Sequence, residues 1–409
     1  MRLSVCFWRV RALKEGMGYG IIAVKQIQFA GEHQAMKILI VCGEYFNTSN
    51  GLSISTQRFV REFVRMGEEV RVLSSDHGGI SDYSVPVMHI PLVDGIMDKQ
   101  NYHFAKPNAD VVDEALSWAD IVHIEDPFPL SVQVAKAAHK KRLPITGTYH
   151  LYPENMTASV PIFDFKLSNR NIMNVFRWGV YQYCYAIQCP TEKVRERLKK
   201  CGYKSKLYVI SNGIPSEFIA DAPSTDKNRI FTIISVGRYS NEKDQKTLIG
   251  AVGACRYAAD IQLILAGRGP LEEEYKKLGD ALPNPPIMRF YDQDELRREI
   301  RRADLYVHCA NVEIEGMGCM EAFAQGTVPV IADSELSSTS VYGLSESNKY
   351  EAENLEDLVS RIEYWYEHRN RLYTVGCEYI ELAKSLSIEK SAQKVIQMMK
   401  EAIRSQGII

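Results

Sequence analysis

From Met36 onward, short apolar runs alternate with longer amphipathic stretches, and this rhythm constrains the fold more than any single motif. Strand-like runs fall at 37–42, 69–73, 121–124, 144–149, 185–189 and 207–210. Helix-like stretches at 53–66, 109–118, 129–141, 168–183 and 191–199 lie between them. Continuous apolar runs read as strands buried on both faces, so the pattern specifies βαβ units and a mostly parallel sheet. The series pauses at Ser211-Asn212-Gly213-Ile214-Pro215 and the polar stretch 216–229, a turn followed by a linker. A second series places strands at 231–236, 261–266, 287–290, 304–308 and 328–331. Its helices fall at 244–257, 270–279, 293–301 and 318–325, and 354–403 reads as two or three amphipathic helices. The expectation is two doubly wound α/β domains of Rossmann-like type, hinged near residue 215. Ligands of such sheets sit beyond the carboxyl ends of the strands, so the cleft between the domains is the natural active site.

Composition narrows the class. The 409 residues are 45% apolar and 24% charged, with formal net charge −2, as in a soluble globular chain of two to three domains. A dedicated nucleic-acid binder would be far more basic. The nine cysteines are scattered and form no C-x-x-C pair, which points to a reducing cytosol rather than to disulfides or a zinc knuckle. No apolar run approaches the ~18 residues of a membrane span. Residues 1–35 lack clear periodicity and a signal-peptide core, whereas Met36 opens a strand. They read as a leader or an over-long start. Charge is uneven: 131–210 balances to +10 and 36–130 to −7. The basic segment carries Lys140, Lys141, Arg142, Lys166, Arg170, Arg177, Lys199, Lys200, Lys204 and Lys206, interleaved with Phe163, Phe165, Phe176, Trp178, Tyr181 and Tyr183. That mixture suits an anionic membrane surface, although a solvated helix face over an aromatic core is the better reading of the sequence alone.

Chemistry concentrates at strand-to-helix junctions. In Val312-Glu313-Ile314-Glu315-Gly316-Met317-Gly318-Cys319-Met320-Glu321-Ala322, two glycines open a helix whose free N–H groups suit a phosphate. Glu313 and Glu321 offer carboxylates to hydroxyl groups. Ser235-Val236-Gly237-Arg238-Tyr239-Ser240-Asn241-Glu242-Lys243 also leaves a strand for a helix, and Arg238 and Lys243 bring two cations suited to a diphosphate. Gly51 lies in a loop between the first strand and helix, Gly267 in a strand-end turn, and His150 at the carboxyl end of a strand. The Gly51 loop is not G-x-G-x-x-G, which disfavours a nicotinamide site. Asp292-Gln293-Asp294 reads as a helix cap, and no metal is expected there.

Taken together, the E-x(7)-E element, G-R-x-x-x-E-K and the strand-end His resemble the family-four retaining glycosyltransferases of GT-B fold, from Met36 to the C-terminus. The resemblance implies an N-terminal acceptor domain at 36–215, a nucleotide-sugar domain at 216–387, and a last helix in 388–409 that returns to the first domain. It implies Glu313 on the donor hexose, Glu321 on the ribose, and Arg238 and Lys243 on the diphosphate. Gly316 and Met317 backbone would touch the phosphates, with Gly51, Gly237, Gly267 and Gly318 among the substrate-binding positions. His150 would contact the sugar near the acceptor. Two positions depart from the family pattern. Glu315 stands where Phe is frequent, putting a further carboxylate near the donor, and Tyr291 stands where Gly is common. Within the family the chain looks most like lipid α-glycosyltransferases. The implied reaction moves a hexose from UDP-glucose or UDP-galactose to a diacylglycerol- or ceramide-type hydroxyl, at the inner face of the cell membrane. It uses neither cofactor nor metal. A surface-polysaccharide transferase is the alternative, and a nucleotide-sugar epimerase on the same fold is the second. A non-catalytic binding module fits the near-complete motif set least well.

Overall fold

The computed structural model describes residues 35–48, 50–89, 102–157 and 165–406. The start read at 1–35 lies outside these apart from residue 35; so do Phe163 and the side chains of Phe165 and Lys166. The described residues hold two parallel sheets and a small ribbon. The first contains β1 (Lys37–Val41), β2 (Glu69–Ser75), β3 (Tyr83–Val85), β4 (Ile121–Ile124), β5 (Ile145–Thr148), β6 (Ala186–Cys189) and β7 (Lys206–Val209), in the order β3-β2-β1-β4-β5-β6-β7. The second contains β8 (Phe231–Val236), β9 (Ile261–Ala266), β10 (Ile287–Arg289), β11 (Leu305–His308), β13 (Val328–Asp333) and β15 (Lys349–Glu351), in the order β10-β9-β8-β11-β13-β15. The ribbon pairs β12 (Val312–Glu313) with β14 (Leu336–Ser337). The short strands β3, β12, β14 and β15 are not in the sequence reading, because two or three residues carry too little periodicity to register.

β1 shows why the first sheet needs helices on both faces. Successive side chains of a strand point to opposite faces. Leu39 and Val41 join a core with the helices Ala109–Trp118, Pro129–Lys140 and Phe165–Gly179. Ile38 and Ile40 join another, formed by Phe59 and Phe63 of the helix Gly51–Arg65 and by Ala392, Val395, Ile396 and Met399 of the helix Ile388–Gln406. The last helix therefore covers part of one face of the first sheet. Each fully buried aliphatic side chain there contributes about 1.5–3 kcal/mol.

The chain crosses between the lobes twice, and the crossings are stitched together. Ile214 N–H donates to Leu386 O at 2.9 Å, and Ile388 N–H donates to Ile214 O at 3.0 Å. Gly213, at φ 76°, passes so close to Ile388 that a Cβ would lie 2.5 Å from its Cα. The stretch 216–229 is not the free linker expected from its polarity. Ala220 N–H donates to Ala324 O, and Lys227 Nζ donates to the carbonyls of Arg301 and Ala303. Its polar groups satisfy carbonyls at helix ends, so it packs as part of the second lobe.

Candidate active site

The residues expected on the donor side are built on the second sheet. After β11, the ribbon strand β12 presents Glu313, and Gly316 turns the chain into the helix Met317–Ala324 at φ 80°. A Cβ at Gly316 would sit 2.5 Å from Thr339 Oγ1, so this turn requires glycine. Lys243 forms an ion pair with Glu313 Oε2. Burial would raise the Glu313 carboxyl, but Lys243 and the neighbouring His308 hold it below its ordinary range. Burial would likewise lower Lys243, and Glu313 reverses this. His308 Nε2 lies 3.9 Å from Glu313 Oε2, and burial pushes the imidazole down to about 4.

The loop carrying Arg238 is held from below. Gln245 Nε2 donates to Arg238 O at 2.9 Å, while Tyr275 donates its hydroxyl to Gln245 Oε1. A Cβ at Gly267 would come within 2.0 Å of Gly237 O. Gly267 thus lets the β9 turn support the Arg238 loop. Asp244, immediately after Lys243, adopts a left-handed φ of 45°, which turns the chain into the helix Gln245–Ala254. A Cβ on Gly318 would lie 3.3 Å from the Tyr306 hydroxyl.

From the first lobe, a Cβ on Gly51 would lie 3.8 Å from Met317 Sδ, so the first helix begins against the helix after Gly316. His150 follows β5, its side chain 4% exposed, with Nε2 2.9 Å from Glu125 Oε2. His123 Nε2 approaches the other oxygen of Glu125 at 3.6 Å. Burial would raise Glu125, yet the two histidines hold it below the ordinary carboxylate range. Glu125 thereby fixes the His150 imidazole beyond the end of β5.

Contacts of Arg58 help tie the lobes together around this site. Arg58 Nη2 meets Glu321 Oε1 at 2.6 Å, with the Arg58 side chain 3% exposed. The Phe218 ring lies between Arg58 and Arg297, 5.0 and 4.3 Å from its centroid. Glu315 does not join Lys243 and Glu313, as its place beside Glu313 suggested. Its Oε2 accepts from Asn212 N–H at 2.8 Å, and its Oε1 accepts from the Tyr342 hydroxyl at 2.9 Å. Burial pushes Glu315 up to about 7 despite these donors. Val312 and Ile314, on either side of Glu313, pack into the first lobe's core. Tyr291 is buried in the second core.

The structure therefore brings Lys243 to Glu313, Gly237 to Gly267, and Gly51 to Met317, while Glu321 is engaged by Arg58. Sequence reasoning missed Arg58, Glu125 and His308. Glu125 and His308 follow or end strands, the signal that singled out His150. Arg58, inside an amphipathic helix, left no such signal. Asp292 caps the helix Gln293–Arg302 through a reciprocal pair with Glu295, as its position suggested.

Two Rossmann-like lobes with a cleft at their strand ends define a GT-B protein. An Anabaena protein solved with UDP and glucose shares this fold, at TM-score 0.68 and 15% identity over 90% of this chain and all of that one. The profile of Glycosyltransferase Family 4 matches residues 49–218, and that of Glycosyl transferases group 1 matches 218–375. The chain belongs to the family-four glycosyltransferases. The lipopolysaccharide core biosynthesis glycosyltransferase of Rhizobium meliloti is 30% identical over 166 residues, 39% of this chain and 47% of that protein. This chain thus spans about half of that relative. A phosphatidyl-myo-inositol mannosyltransferase of Mycolicibacterium smegmatis is 25% identical over 313 residues, 73% of this chain and 76% of that protein.

Proposed function

We propose that this glycosyltransferase moves a hexose, with retention at the anomeric carbon, from UDP-glucose or UDP-galactose to a lipid hydroxyl of diacylglycerol or ceramide type. The observation that carries the reading is the Lys243–Glu313 ion pair beside the helix that Gly316 opens. An ionised Glu313 is a hydrogen-bond acceptor for hexose hydroxyls. Lys243, Arg238 and the N–H groups at Met317 and Gly318 oppose the charge that develops on the departing diphosphate, a preorganised electrostatic site. Glu321 accepts from the ribose by sharing or exchanging its Arg58 contact. The acceptor hydroxyl enters on the face the phosphate leaves, and a β-phosphate oxygen takes its proton. His150, fixed by Glu125, contacts the sugar from the first lobe. Closure of the lobes excludes water, whose attack competes with transfer.

The lipid acceptor is supported by the phosphatidylinositol relative and by the first lobe's surface. On the helix Phe165–Gly179, Val175 and Trp178 are 63% and 61% exposed. Phe176 and Tyr181 instead fill the core, so the aromatic half of the basic segment divides between core and surface. Among the described residues no helix is long and apolar enough to cross a membrane, and the cysteines there are free thiols. A peripheral position at the inner membrane face is our proposal, resting on the exposed Val175 and Trp178 and on the basic segment. Binding to anionic vesicles that weakens with salt supports that placement, and salt-independent binding contradicts it.

The test is incubation with UDP-glucose, UDP-galactose and UDP-N-acetylglucosamine, each with diacylglycerol, ceramide or no acceptor. Nucleotide release and lipid mass are both read. A hexose-sized gain on one lipid supports the proposal. Donor turnover without lipid product contradicts the lipid acceptor and favours a glycan, the direction in which the Rhizobium relative points. An epimerised donor without transfer contradicts the reaction itself.

A further inference from the structure

Where β1 and β2 end, a cluster of side chains plays no part in the reading above. Glu44 follows β1 and is 0% exposed. Its Oε1 lies 2.8 Å from His103 Nδ1 and 3.9 Å from Nε2 of His77, which follows β2. The two imidazole rings stand 4.2 Å apart between centroids. One candidate ligand atom from each of the three residues lies within 4.8 Å of the others. A buried carboxylate needs a counter-charge or a metal ion. Among the described residues, the ion-pair partners of Glu44 are these two histidines, which carry no fixed charge.

We propose that Glu44, His77 and His103 form a binding site for a divalent transition ion of the zinc type. Two imidazoles and one carboxylate are a characteristic zinc donor set, whereas magnesium and calcium prefer oxygen throughout. Zinc bonds of about 2.0–2.2 Å place two ligand atoms on one ion up to about 4 Å apart. The separations from Glu44 Oε1 already meet this, and His77, 47% exposed, is free to swing the remaining distance. Asn47 Nδ2 donates to Glu44 Oε2 at 2.9 Å and orients the carboxylate as an outer-shell partner does. Ser53 Oγ donates to Glu44 O, so the ion-bearing turn leads into the first helix. A bound ion would join the ends of β1 and β2 to the segment bearing His103 at the rim of the first lobe. Three protein ligands leave a coordination position for water or an oxygen of a bound molecule. This site is independent of the donor-site reading.

The test uses tag-free, full-length protein stripped with a chelator and titrated with zinc chloride by calorimetry, with melting followed in parallel. The expected result is one equivalent bound and not displaced by magnesium at equal concentration. His77→Ala and His103→Ala should each weaken it by at least about tenfold. Zinc should raise the Tm of the wild type but not of the double variant. His77→Ala alters an exposed side chain, so its zinc-free melting reports whether it folds. Absence of uptake, equal uptake by the double variant, or displacement by magnesium would each overturn the proposal.

Discussion

Arg58 in the first helix and Glu321 in the helix after Gly316 meet at 2.6 Å, joining residues 263 positions apart across the two lobes. The guanidinium is buried and the carboxylate partly exposed, so the pair couples lobe contact to a residue assigned to the donor. A double-mutant cycle with Arg58→Met and Glu321→Gln should give a coupling of about 1–3 kcal/mol in urea unfolding followed by tryptophan fluorescence. Additive effects would show that the pair does not join the lobes energetically.

The Lys243–Glu313 pair leads to a kinetic prediction. Glu313→Gln and Lys243→Ala should each reduce kcat by at least ~100-fold, the scale of a lost group in a preorganised electrostatic site. Circular dichroism should show both variants folded. Near-normal turnover in folded protein would contradict the roles assigned to them.

Two buried groups should bend stability in opposite directions with pH. Glu315 is pushed from 4.5 up to about 7, so between these values the folded state holds a proton the unfolded state has lost. Stability therefore falls as pH rises through that window. His308 is pushed from 6.5 down to about 4, so the unfolded state holds the extra proton, and stability is lost as pH falls. Each effect is roughly 3 kcal/mol if complete, and they oppose one another between about pH 4.5 and 6.5. Glu315→Gln should make stability rise more steeply with pH there, and His308→Asn should make it fall. Unchanged slopes in urea titrations across this range would refute the assignment.

Two glycines separate folding from binding. Gly316→Ala places a methyl 2.5 Å from Thr339 Oγ1 at φ 80° and should destabilise by about 1–3 kcal/mol. Gly51→Ala meets nothing nearer than Met317 Sδ at 3.8 Å, so its Tm should be unchanged. Its KM for the nucleotide sugar should rise if phosphate approaches this backbone. A fall in Tm for Gly51→Ala would contradict the open space at this position, and a normal KM would count against phosphate approach.

The parallel sheets were legible because β1, β8 and β9 are buried almost throughout and leave uninterrupted apolar runs. The edge strands β3 and β15 were not, since three residues with few apolar side chains resemble a loop. Chemistry was legible where glycine, cation and carboxylate clustered at a strand-to-helix junction, as around Glu313 and Lys243. It was not where residues meet only through the tertiary fold. Arg58 looks like a solvated helix residue, and Glu315 looks like a third carboxylate at the donor. Its contact with Asn212 spans 103 positions and depends on how the ribbon strand β12 packs against the first lobe.

The central claim is retaining hexosyl transfer from a nucleotide sugar. The most direct measurement is the anomeric configuration of the first product, read by proton NMR after turnover of an α-linked UDP-hexose with its acceptor. An α-linked product, lost in Glu313→Gln, is the predicted result. A β-linked product, or an α-linked product formed equally well by Glu313→Gln, would contradict the account.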